Sequence, residues 1–343
     1  MPEISPIFPA HSSFEPKNWT WKEAEQDYFH TIKTAMASIE KVSVPEQFSA
    51  PIPPFSILET SDATKFFCKL VSPVDAGEIE LQKELAQELY DQGVPTPKPV
   101  DIIKCLPQER GSGSENREVF FYITEYAAGR YISSSTADAI SLGQSIGKMH
   151  NAFRCSKNQH LVRQNCQKHF DWFSKALDAS TQRLIHEEVI LKPAIEIVKQ
   201  YDLASFQPFW EHAQIIHGDL NAGNILFDDN VAFVLDFEDT VKSFSSPILD
   251  LSFCIERFFI KFLDDWQKQT DLFLSAYRSA GKASQKGSFI LSDILELLAV
   301  RALLIIIQNY NHHRIPPLAS EVDKFIESWH RTKSPEFSLK VVY

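Results

Sequence analysis

The chain has 343 residues, 44% of them hydrophobic and 12% aromatic, with a formal net charge of −11. That apolar content is ample for a packed core. The acidic balance argues against a nucleic-acid binder, which needs a basic surface, and against adhesion to anionic membranes. Five widely spaced cysteines (Cys68, Cys105, Cys155, Cys166 and Cys254) with no Cys-x-x-Cys pair speak against a disulfide framework or a zinc site.

In chain order, MPEISPIFPAHSSFEP has no basic stretch followed by an apolar core, so no signal peptide is expected. A helix is predicted from Thr20 to about residue 42, with Thr20 and Glu23 at capping-box spacing. It would buttress a small lobe or mediate dimerisation. After the proline-punctuated VPEQFSAPIPPF come two strand-like runs, FSILET and KFFCKLV. A second helix is expected to open near Asp75 and stop at Gly93. The apolar runs VDIIKCL and VFFYITEY then flank the polar PQERGSGSENRE, which reads as a hairpin with a long tip.

From Ser135 the chain turns mostly helical: ADAISLGQSIGKMHNAF, then HFDWFSKALDASTQRL, then a long helix near 187–202. One strand island interrupts this, IIHGDLNAGNILFDDNVAFVLDFED. The pattern then returns to helix through LDLSFCIERFFIKFLDDW and LELLAVRALLIIIQNY. The apolar run near Leu298 to Ile307 is broken by Arg301 and too short to span a bilayer. A cytoplasmic protein is expected, a monomer or homodimer without nucleic-acid or membrane partners. The element order predicts an α+β chain with a small N-terminal lobe, 1–127, and a larger, mainly helical lobe, 128–343.

The island carries the chemistry. Asp219 and Asn224 lie in the loop before a predicted hairpin, Ile225–Phe227 and Ala232–Leu235, and Asp236 follows its second strand. A tight hairpin returns the chain, so Asp236 should lie beside Asn224. One carboxylate and one amide oxygen then suit a hard cation such as Mg²⁺, and Asp219 stands near enough to act on a hydroxyl. The Asp219-to-Asn224 spacing is that of the protein-kinase catalytic loop.

The string HGDLNAGNILF…VLDFED closely resembles the catalytic signature of the aminoglycoside phosphotransferase and choline kinase-like family. GQSIGKMHNAF and ITEYAAGRYI resemble that family's flanking segments, the second being its interlobe linker. The resemblance implies a bilobal protein-kinase-like fold and transfer of the γ-phosphate of ATP or GTP to a small-molecule hydroxyl on an amino-alcohol, sugar or aminoglycoside-like acceptor. It puts Asp219 at the catalytic-base position, Asn224 and Asp236 at the metal positions, and Asp250 at a position supporting the loop. It also implies that Lys69 contacts the nucleotide phosphates and pairs with a helix glutamate. Helical phase favours Glu78 for that partner, the family's usual position falls on Gln82, and Glu80 and Glu84 are neighbouring alternatives. Backbone groups from Glu125 to Ala127 would meet the nucleotide base. Two other readings stay open: a Ser/Thr protein kinase of the bacterial stress-response type, and a nucleotide-binding pseudokinase. QFSAPIPPFS has no glycine where protein kinases place a glycine-rich loop. Glu238, Asp239, Glu256 and Asp264 are candidates to bind an amine on the acceptor. Arg257, amid aromatic residues, needs a carboxylate partner.

Overall fold

A computed structural model of the chain describes residues 55–59, 64–71, 76–105, 119–133, 135–168, 189–260, 264–281, 287–313 and 317–342. The helices expected at 20–42 and in HFDWFSKALDASTQRL, and the hairpin tip PQERGSGSENRE, lie outside these residues. The chain divides into two compact units, one of 1–90 and 96–129, the other of 91–95 and 130–343.

The N-terminal unit holds a four-stranded sheet. Strands β1 (Phe55–Glu59) and β2 (Lys65–Val71) come first, followed by helix α1 (Ala76–Asp91) and then β3 (Pro99–Cys105) and β4 (Val119–Glu125). Their order is β1-β2-β4-β3, with every neighbouring pair antiparallel. Ile79 of α1 packs into a cluster with Val71, Phe120, Tyr122 and Ile102, so the helix covers one face of this sheet. Buried Ile79, Gln82, Leu85, Ala86 and Leu89 recur at helical spacing along α1, which explains why a polar-looking sequence forms this helix. Gly93, at φ 73, provides the left-handed stop.

The C-terminal unit opens on helix α2 (Thr136–Arg154), N-capped by Ser135, whose Oγ accepts from the Ala137 amide at 3.1 Å. A second helix, α3, spans 159–168. The long helix expected near 187–202 is shorter: α4 covers Lys192–Val198 after one 3₁₀ turn, Val189–Leu191. Pro193 sits in its first turn, and Asp202 caps a new 3₁₀ segment, Leu203–Phe209. A short strand β5 (Gln214–Ile215) leads into the hairpin β6 (Ile225–Asp228) and β7 (Val231–Val234), and β8 (Phe244–Ser245) pairs with β5.

The hairpin turns at Asp229 and Asn230, with Asp229 in the left-handed region at φ 48. Helix α5 (Ile248–Cys254) continues directly into a π-helical stretch, Ile255–Ile260. Then come α6 (Trp266–Ala280), β9 (Ser288–Ile290), α7 (Leu291–His313), α8 (Ala319–Arg331) and β10 (Lys340–Val342), which pairs with β9. Helices α2 and α6 pack closely because of Gly143. A Cβ there would lie 2.2 Å from the Phe273 carbonyl oxygen. No helix among the described residues is long and apolar enough to cross a membrane.

Candidate active site

One buried carboxylate organises the loop between β5 and β6. Asp250, in the first turn of α5, is fully buried. It accepts the His217 amide at 2.8 Å on Oδ2 and the Gly218 amide at 2.9 Å on Oδ1. His150 of α2 adds a bond from Nε2 to Asp250 Oδ2 at 2.9 Å, and its Nδ1 meets the Tyr277 hydroxyl at 3.0 Å. Burial alone would raise the Asp250 pKa. The hydrogen bond from His150, the field of the two imidazoles and the Gly218 amide outweigh it and hold the carboxyl below its ordinary range.

His217, also fully buried, orders the loop from within. Its Nδ1 accepts the Asp219 amide at 3.3 Å and its Nε2 donates to the Leu235 carbonyl at 2.8 Å, which sets the Nε2–H tautomer. The Thr240 hydroxyl donates to the His217 carbonyl at 3.1 Å. Between these anchors Gly218 takes φ 86, and a Cβ there would lie 2.0 Å from Ser243 Oγ. Gly218→Ala should therefore lower stability by about 1–3 kcal/mol, through left-handed strain and the clash together. Thermal melting checks this, and an unchanged midpoint contradicts it.

The loop delivers Asp219 half-exposed and held on both oxygens. Arg257 Nη1 donates to Oδ1 at 2.8 Å, and Asn221 Nδ2 donates to Oδ2 at 2.8 Å. Asn224 Nδ2 donates to the Asp219 carbonyl at 2.8 Å and more weakly to Oδ2 at 3.4 Å. Arg257 thus has the carboxylate partner its sequence context calls for, and that partner is Asp219 itself. The guanidinium lies 4.2 Å above the centre of the Phe253 ring. Asp250 and Arg257 sit two turns apart along α5 and its π-helical continuation, so one helical rod holds the first half of the loop, from His217 to Leu220.

The hairpin brings the chain back as its spacing predicts. The Leu235 amide donates to the Asn224 carbonyl at 2.9 Å, one register step beyond the Ile225–Val234 pair. Asp236 follows at once in the left-handed region, φ 61, a strained setting for a non-glycine residue that is characteristic of functional sites. Asn224 points its amide nitrogen at Asp219, so its Oδ1 remains available and has no partner among the described residues. The hairpin thus brings the backbone of Asp236 next to that of Asn224, and a carboxamide and a carboxylate are oxygen donors of the kind Mg²⁺ takes together with phosphate oxygens and water. No cluster of three or more His, Cys, Asp or Glu side chains suited to a metal occurs among the described residues.

In the N-terminal unit, Lys69 stands opposite Phe55 on one side and Tyr122 on the other. Strand alternation puts Lys69 on the same face as Val71, the face that α1 covers. Glu78 lies in the first turn of that helix, adjacent to Ile79, and is half-buried. Gln82 is buried at 3% exposure. At the end of β4, the Glu125 amide bonds the Lys98 carbonyl and the Tyr126 amide the Lys65 carbonyl, each at 2.9 Å. The half-buried Ala127 has no hydrogen-bond partner among the described residues.

Sequence reading missed His150 and Asn221. His150 lies on α2 amid Leu142, Ile146, Met149 and Phe153, all buried. A histidine on so apolar a face is the one local signal of a buried polar partner. Of the four acidic residues considered for an amine, Asp239 is engaged by Lys242 at 2.8 Å, Glu238 and Asp264 are exposed, and Glu256 is half-buried.

Residues 55–282 match the family model described as the phosphotransferase enzyme family. No curated protein matches the chain. Among solved structures, the amicoumacin kinase hAmiN in complex with AMP-PNP, Ca2+ and Ami is similar, with a TM-score of 0.58 at 15% identity over 91% of this chain and 95% of that one. The GDP and kanamycin complex of APH(2")-IIia gives 0.51 at 15% identity, over 89% and 98%. A thermostable mutant of aminoglycoside phosphotransferase APH(4)-Ia, in the apo form, gives 0.50 at 12% identity, over 89% and 97%. At such identities the likeness is one of fold, the protein-kinase-like α+β fold. The chain belongs to the phosphotransferase enzyme family.

Proposed function

We propose that the protein transfers the γ-phosphate of ATP, or of GTP, to a hydroxyl of a small molecule, with Asp219 as the base. The observation that carries this is the Asp219 carboxylate, fixed on both oxygens beside Asn224 at the base of the β6–β7 hairpin, where Asp236 follows in a strained conformation. Family membership supports the reaction class. AMP-PNP and GDP in two of the similar structures support a nucleoside triphosphate donor. The amicoumacin kinase and the kanamycin complex among them support a small acceptor, on the amino-alcohol, sugar or aminoglycoside pattern.

In the reaction the acceptor oxygen forms a bond to the γ-phosphorus. The bond from that phosphorus to the β,γ-bridging oxygen breaks, the electron pair leaves with the nucleoside diphosphate, and the hydroxyl proton passes to Asp219. Arg257 and Asn221 orient the carboxylate towards the hydroxyl. Asn224 Oδ1 and Asp236 would hold Mg²⁺, which when bound neutralises charge on the phosphates. Lys69 would steady the nucleotide phosphates with Glu78 as its partner, and the Glu125–Ala127 backbone would meet the base.

The test is ADP release across hydroxylated metabolites and aminoglycosides, with the phosphorylated product identified by mass. Release should require a productive acceptor and stop when EDTA removes Mg²⁺. Nucleotide binding with no turnover on any acceptor would make the chain a pseudokinase. Phosphate appearing on serine or threonine of generic protein substrates would make it a protein kinase.

A further inference from the structure

Between the end of β4 at Glu125 and the start of α2 at Thr136 the described residues form no helix or strand, and they include Ala127, Ala128 and Gly129. Arg130 is nevertheless held by both its backbone and its side chain. Its amide donates to the Phe227 carbonyl at 2.9 Å and its carbonyl accepts the Phe227 amide at 2.8 Å, an antiparallel bridge on the outer edge of β6. Its guanidinium lies 5.6 Å from the centre of the buried Phe227 ring.

The same guanidinium makes a forked bond to α2. Nη1 donates to Asp138 Oδ2 at 2.7 Å and Nη2 to Oδ1 at 2.8 Å, and Nη1 also reaches the Tyr131 carbonyl at 3.1 Å. Asp138, in the first turn of α2, is buried, and its Oδ2 also accepts the Ser133 amide at 2.7 Å and the Ser133 hydroxyl at 2.8 Å. Burial alone would raise its pKa. The bonds from Arg130 and Ser133 outweigh this and hold the carboxyl below its ordinary range, so the pair is charged at neutral pH. A two-pronged bond of this kind fixes direction as well as distance, and it ties β6 to α2 through one residue.

The other edge of the hairpin is tied as well: the Val234 amide of β7 donates to the Pro95 carbonyl at 2.9 Å. Pro95 closes the 91–95 segment of the C-terminal unit, and Arg130 opens its 130–343 segment. A hairpin of two four-residue strands is marginal by itself, so its register depends on what holds its edges. Phe227 lies three residues beyond Asn224, and Val234 two before Asp236, so a loosened edge is felt at both. We propose that Arg130 and Asp138 are positioning residues for the metal pair. By fixing β6 through Phe227 they keep the backbone of Asn224 where that of Asp236 returns beside it, and so set the affinity of the site for Mg²⁺ with its nucleotide. The purpose of this clamp rests on the phosphotransferase reading, but the clamp itself can be tested without turnover.

The full chain and its variants are followed by thermal midpoint with non-hydrolysable ATP and GTP analogues, first without metal and then across a MgCl2 titration. Arg130→Gln should need about tenfold more Mg²⁺ for the same stabilisation, the loss typical when a partner behind a metal ligand is removed. Its response to the metal-free analogues should stay that of the wild type. Asp138→Asn should match it. Ser133→Ala is the control. It removes one bond to the same carboxylate but leaves Arg130 and Phe227 alone, so its midpoint can fall while its Mg²⁺ response stays that of the wild type. The midpoint without ligand reports folding. Where Arg130→Gln or Asp138→Asn does not fold, Arg130→Lys, which keeps the charge and loses the fork, carries the comparison and should also need more Mg²⁺ than the wild type. An unchanged Mg²⁺ response in the folded variants, or an equal loss in Ser133→Ala, would overturn the proposal.

Hydrogen exchange of the ligand-free chain tests the clamp apart from its purpose. Peptides covering β6 and β7 should exchange faster in Arg130→Gln than in the wild type, and those covering β9 and α7 should not. That result, in a chain whose wild type shows no Mg²⁺-dependent nucleotide binding, would keep the clamp and count instead against the phosphotransferase reading. Exchange in β6 of Arg130→Gln at the wild-type rate would overturn the clamp even where the chain turns over an acceptor.

Discussion

Replacing Asp219 with asparagine should lower kcat by about 10²–10⁴-fold, the range for loss of a positioned base, while the KM for the nucleotide changes little. The amide keeps one oxygen for Arg257 but can no longer take a proton from the acceptor hydroxyl. It also turns a donor towards Asn221 Nδ2, which now donates to Oδ2. Arg257 loses its carboxylate partner but keeps its contacts with the Leu220 carbonyl and the Phe253 ring, so the π-helical stretch should keep its place. Asp236→Ala should cost at least as much activity, because it removes the only carboxylate of the proposed metal pair, and its loss should include the Mg²⁺ dependence. Steady-state rates on the acceptor found in the screen, with melting curves as a folding control, decide both. Wild-type turnover in Asp219→Asn refutes Asp219 as the base.

The parts that were legible in the sequence are those whose cause is local. Helix α1 follows from Glu78 in the first turn, the apolar spacing of Ile79, Leu85 and Leu89, and a glycine stop at Gly93. The β6–β7 hairpin follows from two short apolar runs around Asp229 and Asn230, and its return past Asn224 follows from tight-turn geometry. What was hidden depends on contacts across long stretches of chain. His150 and Asp250 meet across 100 residues, and Arg257 and Asp219 across 38. A lone arginine among phenylalanines announces that it needs a carboxylate, but nothing in its own segment says which one. The shortened helix near 187–202 shows a different limit. Periodicity suggested one continuous element, whereas Pro193 at the helix start and the Asp202 cap divide it. Arg301 was read only as a break in an apolar run, and its half-burial on α7 shows only in the folded chain.

Asp250→Asn is the expected structural counterpart of the Asp219 change, and its effect should fall on stability and activity together. The two oxygens of Asp250 accept three bonds, from the amides of His217 and Gly218 and from His150 Nε2. Asparagine offers one oxygen and sets an N–H against a donor, in a position with no access to water. Breaking so buried a charged network costs about 3–5 kcal/mol, which in a unit of this size lowers the melting point by roughly 10 °C. Because the lost bonds are those that start the catalytic loop, the rate per folded molecule should fall as well.

The pH dependence has a definite sign. The Asp250 pKa is lower in the folded chain than in the unfolded one, so the unfolded chain binds more protons as the solution is acidified. The stability this carboxylate contributes is complete above its ordinary pKa of about 4 and drains away as the pH falls through the folded value. The gap in melting temperature between wild type and Asp250→Asn should therefore be widest near neutrality and narrow below about pH 4. A gap that stays constant into acid would mean that the charge on Asp250 does not hold the loop, and that shape alone keeps His217 and Gly218 in place.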